Sequence, residues 1–250
     1  MIVMGIDIGG SGIKGGLVDV EKGEMTTERY KLLTPEEGKP EDVADVVSKV
    51  VKKFDWNGPI GCGFPSVVIS GVTHTAANVH QSWIGLDADA LLEKATRCPV
   101  WMANDADVAG MAEMRFGVGR GQNGVTIMLT LGTGIGSAIF SDGVLVPNTE
   151  FGHLTIRGKD AERRASSTAR KKKQLTYEAW ALLLQEYLDE LERLFWPSLI
   201  IIGGGVSRKS ELFFPFLKTR ARLEAAQMRN NAGIIGAALY AVEASNKLSV

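Results

Sequence analysis

Two glycine-rich segments of this chain carry residue types suited to holding phosphate. In Asp7-Ile8-Gly9-Gly10-Ser11-Gly12-Ile13-Lys14, glycines stand between a carboxylate and an ammonium group. A turn that glycine makes easily leaves backbone N–H groups facing any anion. Taken alone, the segment serves equally as an ordinary glycine-rich β-turn. Gly132-Thr133-Gly134-Ile135-Gly136 repeats the arrangement, and Thr133 adds a hydroxyl donor. Two such turns favour phosphate. Neither is a Walker loop, because no Gly-Lys-Ser/Thr closes it, and neither is a dinucleotide fingerprint, because a strand rather than a helix follows. Asn104-Asp105 sits where a strand over Val100 to Met102 gives way to a helix. Both residue types cap helices well, so a cap alone and a catalytic carboxylate stay open for the pair. Asn104 suits the cap and Asp105 the chemistry, since a positioned carboxylate can take the proton of a weakly nucleophilic hydroxyl during phosphoryl transfer.

The elements that must position these groups alternate. Ile2 to Ile8 reads as a buried strand, followed by strands near Gly15 to Val20 and near Thr26 to Leu33. From Pro40 the period turns helical, with Val43, Val46, Val47, Val50, Val51 and Phe54 on one face and Lys49, Lys52 and Lys53 opposite. A short strand through Gly61 and Cys62, a helix around Leu91 and the strand at Val100 complete an α/β lobe. Val125 to Leu131, the glycine turn and Ser137 to Phe140 begin the programme again. Laid over the start without gaps, Asp7-Ile8-Gly9 falls on Thr130-Leu131-Gly132 and Leu17-Val18-Asp19 on Phe140-Ser141-Asp142, as a duplicated lobe would produce. Thr176 caps a helix whose apolar face is Trp180, Leu183, Leu184, Tyr187, Leu191, Leu194 and Phe195, stopped by Pro197. Leu199 to Ile202 is a β-branched strand that runs into Gly203-Gly204-Gly205. We place one lobe at 1–105 and the second at 106–231, with a final helix near 232–245 available to pack back on the first.

Composition narrows the class. A net charge of −1 with 23% charged and 45% hydrophobic residues describes a globular protein, without the basic bias of a nucleic-acid binder. Cys62 and Cys98 form no Cys-x-x-Cys pair, so neither a disulfide framework nor a zinc site is signalled, and buried free thiols fit. The charge-free stretch Gly121 to Ser141 is broken by glycine, Thr and Ser, and reads as two strands and a turn rather than a membrane span. No basic, apolar leader precedes Asp7, so a cytoplasmic protein is expected.

The ordered set of motifs resembles the ROK family, which holds sugar kinases and related repressors with a two-lobed, actin-like (ribonuclease H-like) α/β fold around a central cleft. The resemblance covers nearly the whole chain. It implies phosphate-binding roles for Asp7, Gly9, Gly10, Ser11, Gly12 and Lys14, and for Gly132, Thr133 and Gly134. Nucleotide-side roles fall to Gly203, Gly204 and Gly205. Glu150-Phe151-Gly152-His153 matches the family's sugar-binding Glu-x-Gly-His, and Gly63, Pro65 and Asn78 lie in the loop that reaches the sugar. By this resemblance Asp105 is the general base, Asn78, Asn104, Glu150 and His153 hold sugar hydroxyls, and Asp7 helps position Mg²⁺ through water. The chemistry agrees: a carboxylate accepts from two vicinal hydroxyls, and a neutral imidazole both donates and accepts.

One departure matters. Many ROK proteins follow Glu-x-Gly-His with a cysteine-rich zinc motif, whereas this chain has no cysteine after Cys98. No structural zinc is expected. In its place stands Arg157 to Lys173, with eight basic residues against Asp160 and Glu162. A charge run of this kind is often only a solvated face. The zinc-free branch it resembles is the polyphosphate glucokinases, whose donor is a polyanion, and Arg163, Arg164, Arg170, Lys171, Lys172 and Lys173 would suit such a donor as a cationic track. Asn230-Asn231-Ala232-Gly233 is similar to that branch as well. The resemblance implies a glucokinase using polyphosphate, ATP or both, acting as a homodimer, with no nucleic-acid or membrane partner. The alternatives are an ATP-only kinase of mannose or fructose, a non-catalytic sugar sensor, for which no helix-turn-helix precedes Asp7, and an actin-like filament protein, which has no need of Glu150 with His153.

Overall fold

The computed structural model describes residues 1–77 and 79–247. The chain forms two compact units, Met1–Ala112 with Asn231–Val250, and Glu113–Asn230. In the first, β1 (Ile2–Gly9) and β2 (Gly12–Asp19) form an antiparallel hairpin whose register ends at Gly9 opposite Gly12. The third strand is split into β3 (Glu24–Met25) and β4 (Tyr30–Leu32), which both pair with β2. Between them Thr27 Oγ1 accepts from the Leu17 amide at 3.0 Å, so a side chain takes up a ladder donor that a continuous strand would have used. After α1 (Pro40–Lys53) come β5 (Ile60–Phe64), a small hairpin of β6 (Val68–Ile69) and β7 (Val72–Thr73), α2 (Ala88–Thr96) and β8 (Val100–Asn104). The sheet runs β3-β2-β1-β5-β8, and β1, β5 and β8 are parallel.

Helix α1 begins with Pro40, carries Glu41 and Asp42 in its first turn and Lys52 and Lys53 in its last, and so complements the helix dipole at each end. It buries Val43, Val47 and Val50 in one cluster with Met4, Ile6 and Ile60. Helix α3 (Asp105–Phe116) follows β8 directly, and the division between units falls inside it. The last helix, α7 (Ala232–Lys247), lies against β1 and β5 with almost no space between backbones. A Cβ at Gly5 would stand 1.9 Å from the Ile234 carbonyl oxygen, and one at Gly61 1.7 Å from that of Ala237.

The second unit repeats the succession. An antiparallel hairpin of β9 (Val125–Leu131) and β10 (Ile135–Ser141), extended by β11 (Val144–Val146), comes first. A small hairpin of β12 (Thr155–Ile156) and β13 (Lys159–Asp160) leads into α4 (Ala161–Ala165), α5 (Ser167–Lys172) and α6 (Tyr177–Phe195). Strands β14 (Leu199–Gly203) and β15 (Arg222–Ala225) then add in parallel, giving the order β11-β10-β9-β14-β15. Thr176 caps α6 by accepting from the Ala179 amide, and Trp196 ends it in the left-handed conformation before Pro197. Its core face is Trp180, Leu184, Tyr187, Leu188 and Leu191. Leu194, expected inside, is 48% exposed, and Leu188, six residues earlier on the buried stripe, lies inside. Cys62 and Cys98 are free and buried, and no helix among the described residues is long and apolar enough to cross a membrane.

Candidate active site

In the first unit the parallel strands set Asp7 opposite Gly63, and Gly63 opposite Ala103, so the carboxyl ends of β1, β5 and β8 bring Asp7, Phe64, Asn104 and Asp105 to one edge of the sheet. Asn104 is buried and committed. Its Oδ1 accepts from the Ala106 amide at 2.8 Å and the Asp107 amide at 3.2 Å, capping α3, while Nδ2 donates to the Ser66 carbonyl at 3.1 Å. The cap therefore holds the Gly63-Phe64-Pro65 loop as well. Asp105, half-buried, is the first residue of the helix that Asn104 caps. A side chain at Gly63 would press on Val108 at 2.8 Å and reach the Asp105 Cα at 3.6 Å, so glycine there lets the loop approach that carboxylate.

The first glycine turn differs from expectation in one respect. None of Gly9, Gly10 and Gly12 takes a left-handed φ, nor do Gly132 and Gly134. At Gly10 and Gly132 the turns leave room: a Cβ at either position would project into open space. Asp7 Oδ2 accepts from Lys14 Nζ at 2.8 Å, and Ser11 is exposed at the tip. Thr34, which has no sequence signal, donates through Oγ1 to the Gly9 carbonyl at 2.5 Å and pins the turn. A cavity of about 260 Å³ joins Gly9 and Gly10 to Phe64 and Pro65. The start of α7 also reaches this edge, since a Cβ at Gly233 would stand 3.0 Å from the Asp7 carboxyl carbon. Asn78 lies outside the described residues.

In the second unit the turn between β9 and β10 is closed by the Gly132 amide donating to the Gly134 carbonyl, with Thr133 exposed. Gly204 has φ +79° and would carry a Cβ 2.6 Å from the Leu131 carbonyl oxygen, so the Gly203-Gly204-Gly205 bend lies against the end of β9. Glu150 is bracketed by Ser137 on β10. That hydroxyl donates to the Thr149 carbonyl at 2.8 Å and accepts from the Phe151 amide at 2.9 Å. Gly152 lies on the Ile135 carbonyl, where a Cβ would stand at 2.3 Å, which explains the glycine of Glu-x-Gly-His. Glu150 Oε2 is 4.0 Å from His153 Nε2. Burial raises the Glu150 carboxyl above its ordinary range; His153 opposes that rise and Glu162 adds to it.

The six cations of the expected track separate into two groups. Arg164 is bonded to Glu186, and Arg170 donates to the Leu175 carbonyl and lies over the Tyr177 ring at 4.2 Å. Both are structural contacts. Arg163, Lys171, Lys172 and Lys173 are exposed, and Lys173 Nζ donates to the Arg163 carbonyl. The Thr168 amide in α5 donates to the Gly132 carbonyl at 3.1 Å, which ties the basic segment to the second glycine turn.

Two units of one strand order, each closing its opening hairpin with a glycine turn, define the actin-like α/β class. The ROK family model matches residues 3–167, and the chain belongs to the ROK family. The polyphosphate glucokinase of Mycobacterium tuberculosis is 48% identical over 239 residues, spanning 95% of this chain and 90% of that one. The solved inorganic polyphosphate/ATP-glucomannokinase from Arthrobacter sp. strain KM superposes with a TM-score of 0.95 at 46% identity, covering 97% of this chain and 99% of that one. A ROK family glucokinase from Streptomyces griseus, solved with glucose and AMPPNP, gives a TM-score of 0.82 at 25% identity, covering 97% of this chain and all of that one.

Proposed function

We propose that this chain is a glucokinase that transfers a phosphoryl group from inorganic polyphosphate, ATP or both to the 6-hydroxyl of glucose. The observation that carries the reading is the Thr168–Gly132 hydrogen bond, which fastens the exposed cations to the turn a donor phosphate would occupy. The names of the two relatives at 46–48% identity support the same donor and acceptor.

Asp105 takes the proton of the 6-hydroxyl as that oxygen attacks in line, and the α3 cap keeps its carboxylate at the strand end. Glu150 and His153 hold hydroxyls of the sugar. Asn104 acts chiefly through its cap and its bond to Ser66, with one Nδ2 hydrogen left for a ligand. Donor phosphates occupy the room left at Gly10 and Gly132 and take a hydrogen bond from the Thr133 hydroxyl, with Lys14 adding a positive charge beside Asp7. Arg163, Lys171, Lys172 and Lys173 guide the polyanion. Asp7 offers hard carboxylate oxygens on a partly exposed side chain, a donor set that suits a Mg²⁺ ion retaining its waters. Bound there, Mg²⁺ would neutralise phosphate charge. Zinc is not required, because His153 has no thiolate partners for a closed tetrahedral site. We propose that the enzyme acts in the cytoplasm, and as the homodimer that the resemblance implies.

Asp105→Asn tests the core of this reading. It keeps much of the hydrogen bonding and removes the base, so turnover should fall ~10²–10⁴-fold with glucose affinity largely retained. A variant turning over at near the wild-type rate removes Asp105 from the mechanism.

A further inference from the structure

We infer that Asp160 is a positioning residue: it holds the proton of His153 on Nδ1 and so prepares His153 and Glu150 as a pair of acceptors for two hydroxyls of the acceptor sugar. The inference rests on the reading of Glu150 and His153 as sugar ligands.

Asp160 Oδ2 lies 3.3 Å from His153 Nδ1. Its place is set by backbone rather than by a wandering surface side chain. In the β12–β13 hairpin Thr155 pairs with Asp160 and Ile156 with Lys159, and the Ala161 amide donates to the Leu154 carbonyl at 2.9 Å. Glu162, two residues on, accepts from the Ile135 amide at 3.3 Å and fixes the start of α4 to β10. The segment that carries Asp160 is thus fastened on both sides of it.

An ionised carboxylate only accepts hydrogen bonds. Facing Asp160, the imidazole must present Nδ1–H, which leaves a lone pair on Nε2. Nε2 faces Glu150 Oε2 at 4.0 Å, and Glu150 when ionised is also an acceptor. Two acceptors side by side do not satisfy each other, whereas two O–H groups of a sugar satisfy both. In the other tautomer Nε2–H would point at Glu150, and His153 would occupy the carboxylate that the sugar needs. Asp160 prevents that. Among the described residues, the other charged groups recorded at the pair are Glu162, bonded to the Ile135 amide, and Arg163, whose Nε is 3.9 Å from Asp160 Oδ2. Arg163 stands farther from Asp160 Oδ2 than His153 Nδ1 does and leaves that contact in place.

The chain has only three histidines, so ¹⁵N NMR of the imidazoles can read the tautomer of His153 directly in the wild-type protein. The expected result is Nδ1–H. In Asp160→Ala the signal should move toward Nε2–H, and the KM for glucose should rise about two- to tenfold, the factor an ordinary hydrogen bond represents. The turnover number and the donor KM should stay within about twofold. Asp160→Asn, whose amide oxygen still accepts, should restore part of the glucose affinity, which a merely structural loss at the hairpin would not explain. His153→Ala serves as the control for the underlying reading. If it raises the glucose KM while Asp160→Ala does not, the positioning role is overturned and the sugar site stands. If His153→Ala leaves the glucose KM unchanged, the sugar site itself is wrong and the role of Asp160 falls with it. A wild-type Nε2–H tautomer overturns the inference without any variant.

Discussion

In the first unit the helix behind the sheet meets it backbone to backbone, whereas in the second unit the corresponding contacts are made by large side chains. A Cβ at Gly5, Gly61 or Gly236 would stand within 2 Å of a carbonyl oxygen on α7 or α3. In the second unit Trp180, Leu184, Tyr187, Leu188 and Leu191 of α6 share one core with Ile127, Leu129 and Ile200. The difference teaches how to read glycine in this chain. Some glycines are required by packing, while a Cβ at Gly10 or Gly132 would meet nothing within 4 Å, so these positions leave space beside the turn. The same residue type has opposite meanings a few positions apart, at Gly5 on β1 and at Gly10 in the turn that follows it.

Gly236→Ala should be the most damaging substitution, because the new methyl would stand 1.6 Å from the Val108 carbonyl oxygen, where neither backbone can yield. We expect a loss above ~4 kcal/mol, seen as unfolding at low denaturant. Leu184→Ala in the second unit should cost about 2–5 kcal/mol, as a buried leucine lost from a side-chain core does. Comparable, small losses in both would dissolve the contrast between the units.

Gly10→Ala and Gly132→Ala sharpen the other half of the comparison. Both should leave stability within about 1 kcal/mol of wild type, since their φ values are open to alanine. The KM for the phosphoryl donor should nevertheless rise severalfold as the methyl takes up the space beside the turn. Loss of stability without change in donor KM would make these turns purely structural.

The basic segment belongs to the second unit alone, and replacing Arg163, Lys171 and Lys172 with Gln should weaken long polyphosphate more than ATP. Exposed charges are screened beyond about 8 Å at physiological ionic strength, so added salt should raise the wild-type KM for polyphosphate more than that for ATP, and the variant should lose much of that sensitivity. Parallel behaviour of the two donors would reduce the segment to a solvated face.

The smallest effect lies in the first unit, where burial raises the Asp89 carboxyl to about 7, partly opposed by the Met102 amide it accepts from at 2.8 Å. The folded state then binds a proton that the unfolded chain has released. This contribution to stability is present below about pH 4 and is lost as pH rises toward about 7. Asp89→Asn should flatten that part of the stability profile relative to wild type, and an unchanged slope would mean that Asp89 is ionised throughout.

Local signals in the sequence carried much of this. The Pro40 start of α1, the Thr176 cap, the Asn104 cap and both glycine turns follow from residues adjacent in the chain. What was not legible depends on distant partners. Thr34 on Gly9, Thr168 on Gly132, Ser137 around Glu150 and Asp160 on His153 are single side-chain or amide contacts with no period to reveal them. The same reason explains why Arg164 and Arg170 read as part of one cationic run: Glu186 and Tyr177, which engage them, lie on another helix. Thr27 in place of a ladder partner divided the third strand, and no propensity marks such a substitution.

The most direct measurement is a coupled assay for glucose 6-phosphate with glucose as acceptor and, in separate reactions, polyphosphate and ATP as donor. The account predicts product with polyphosphate, dependent on Mg²⁺ and abolished in Asp105→Asn. Glucose left unphosphorylated by either donor, in protein shown to be folded, would contradict it.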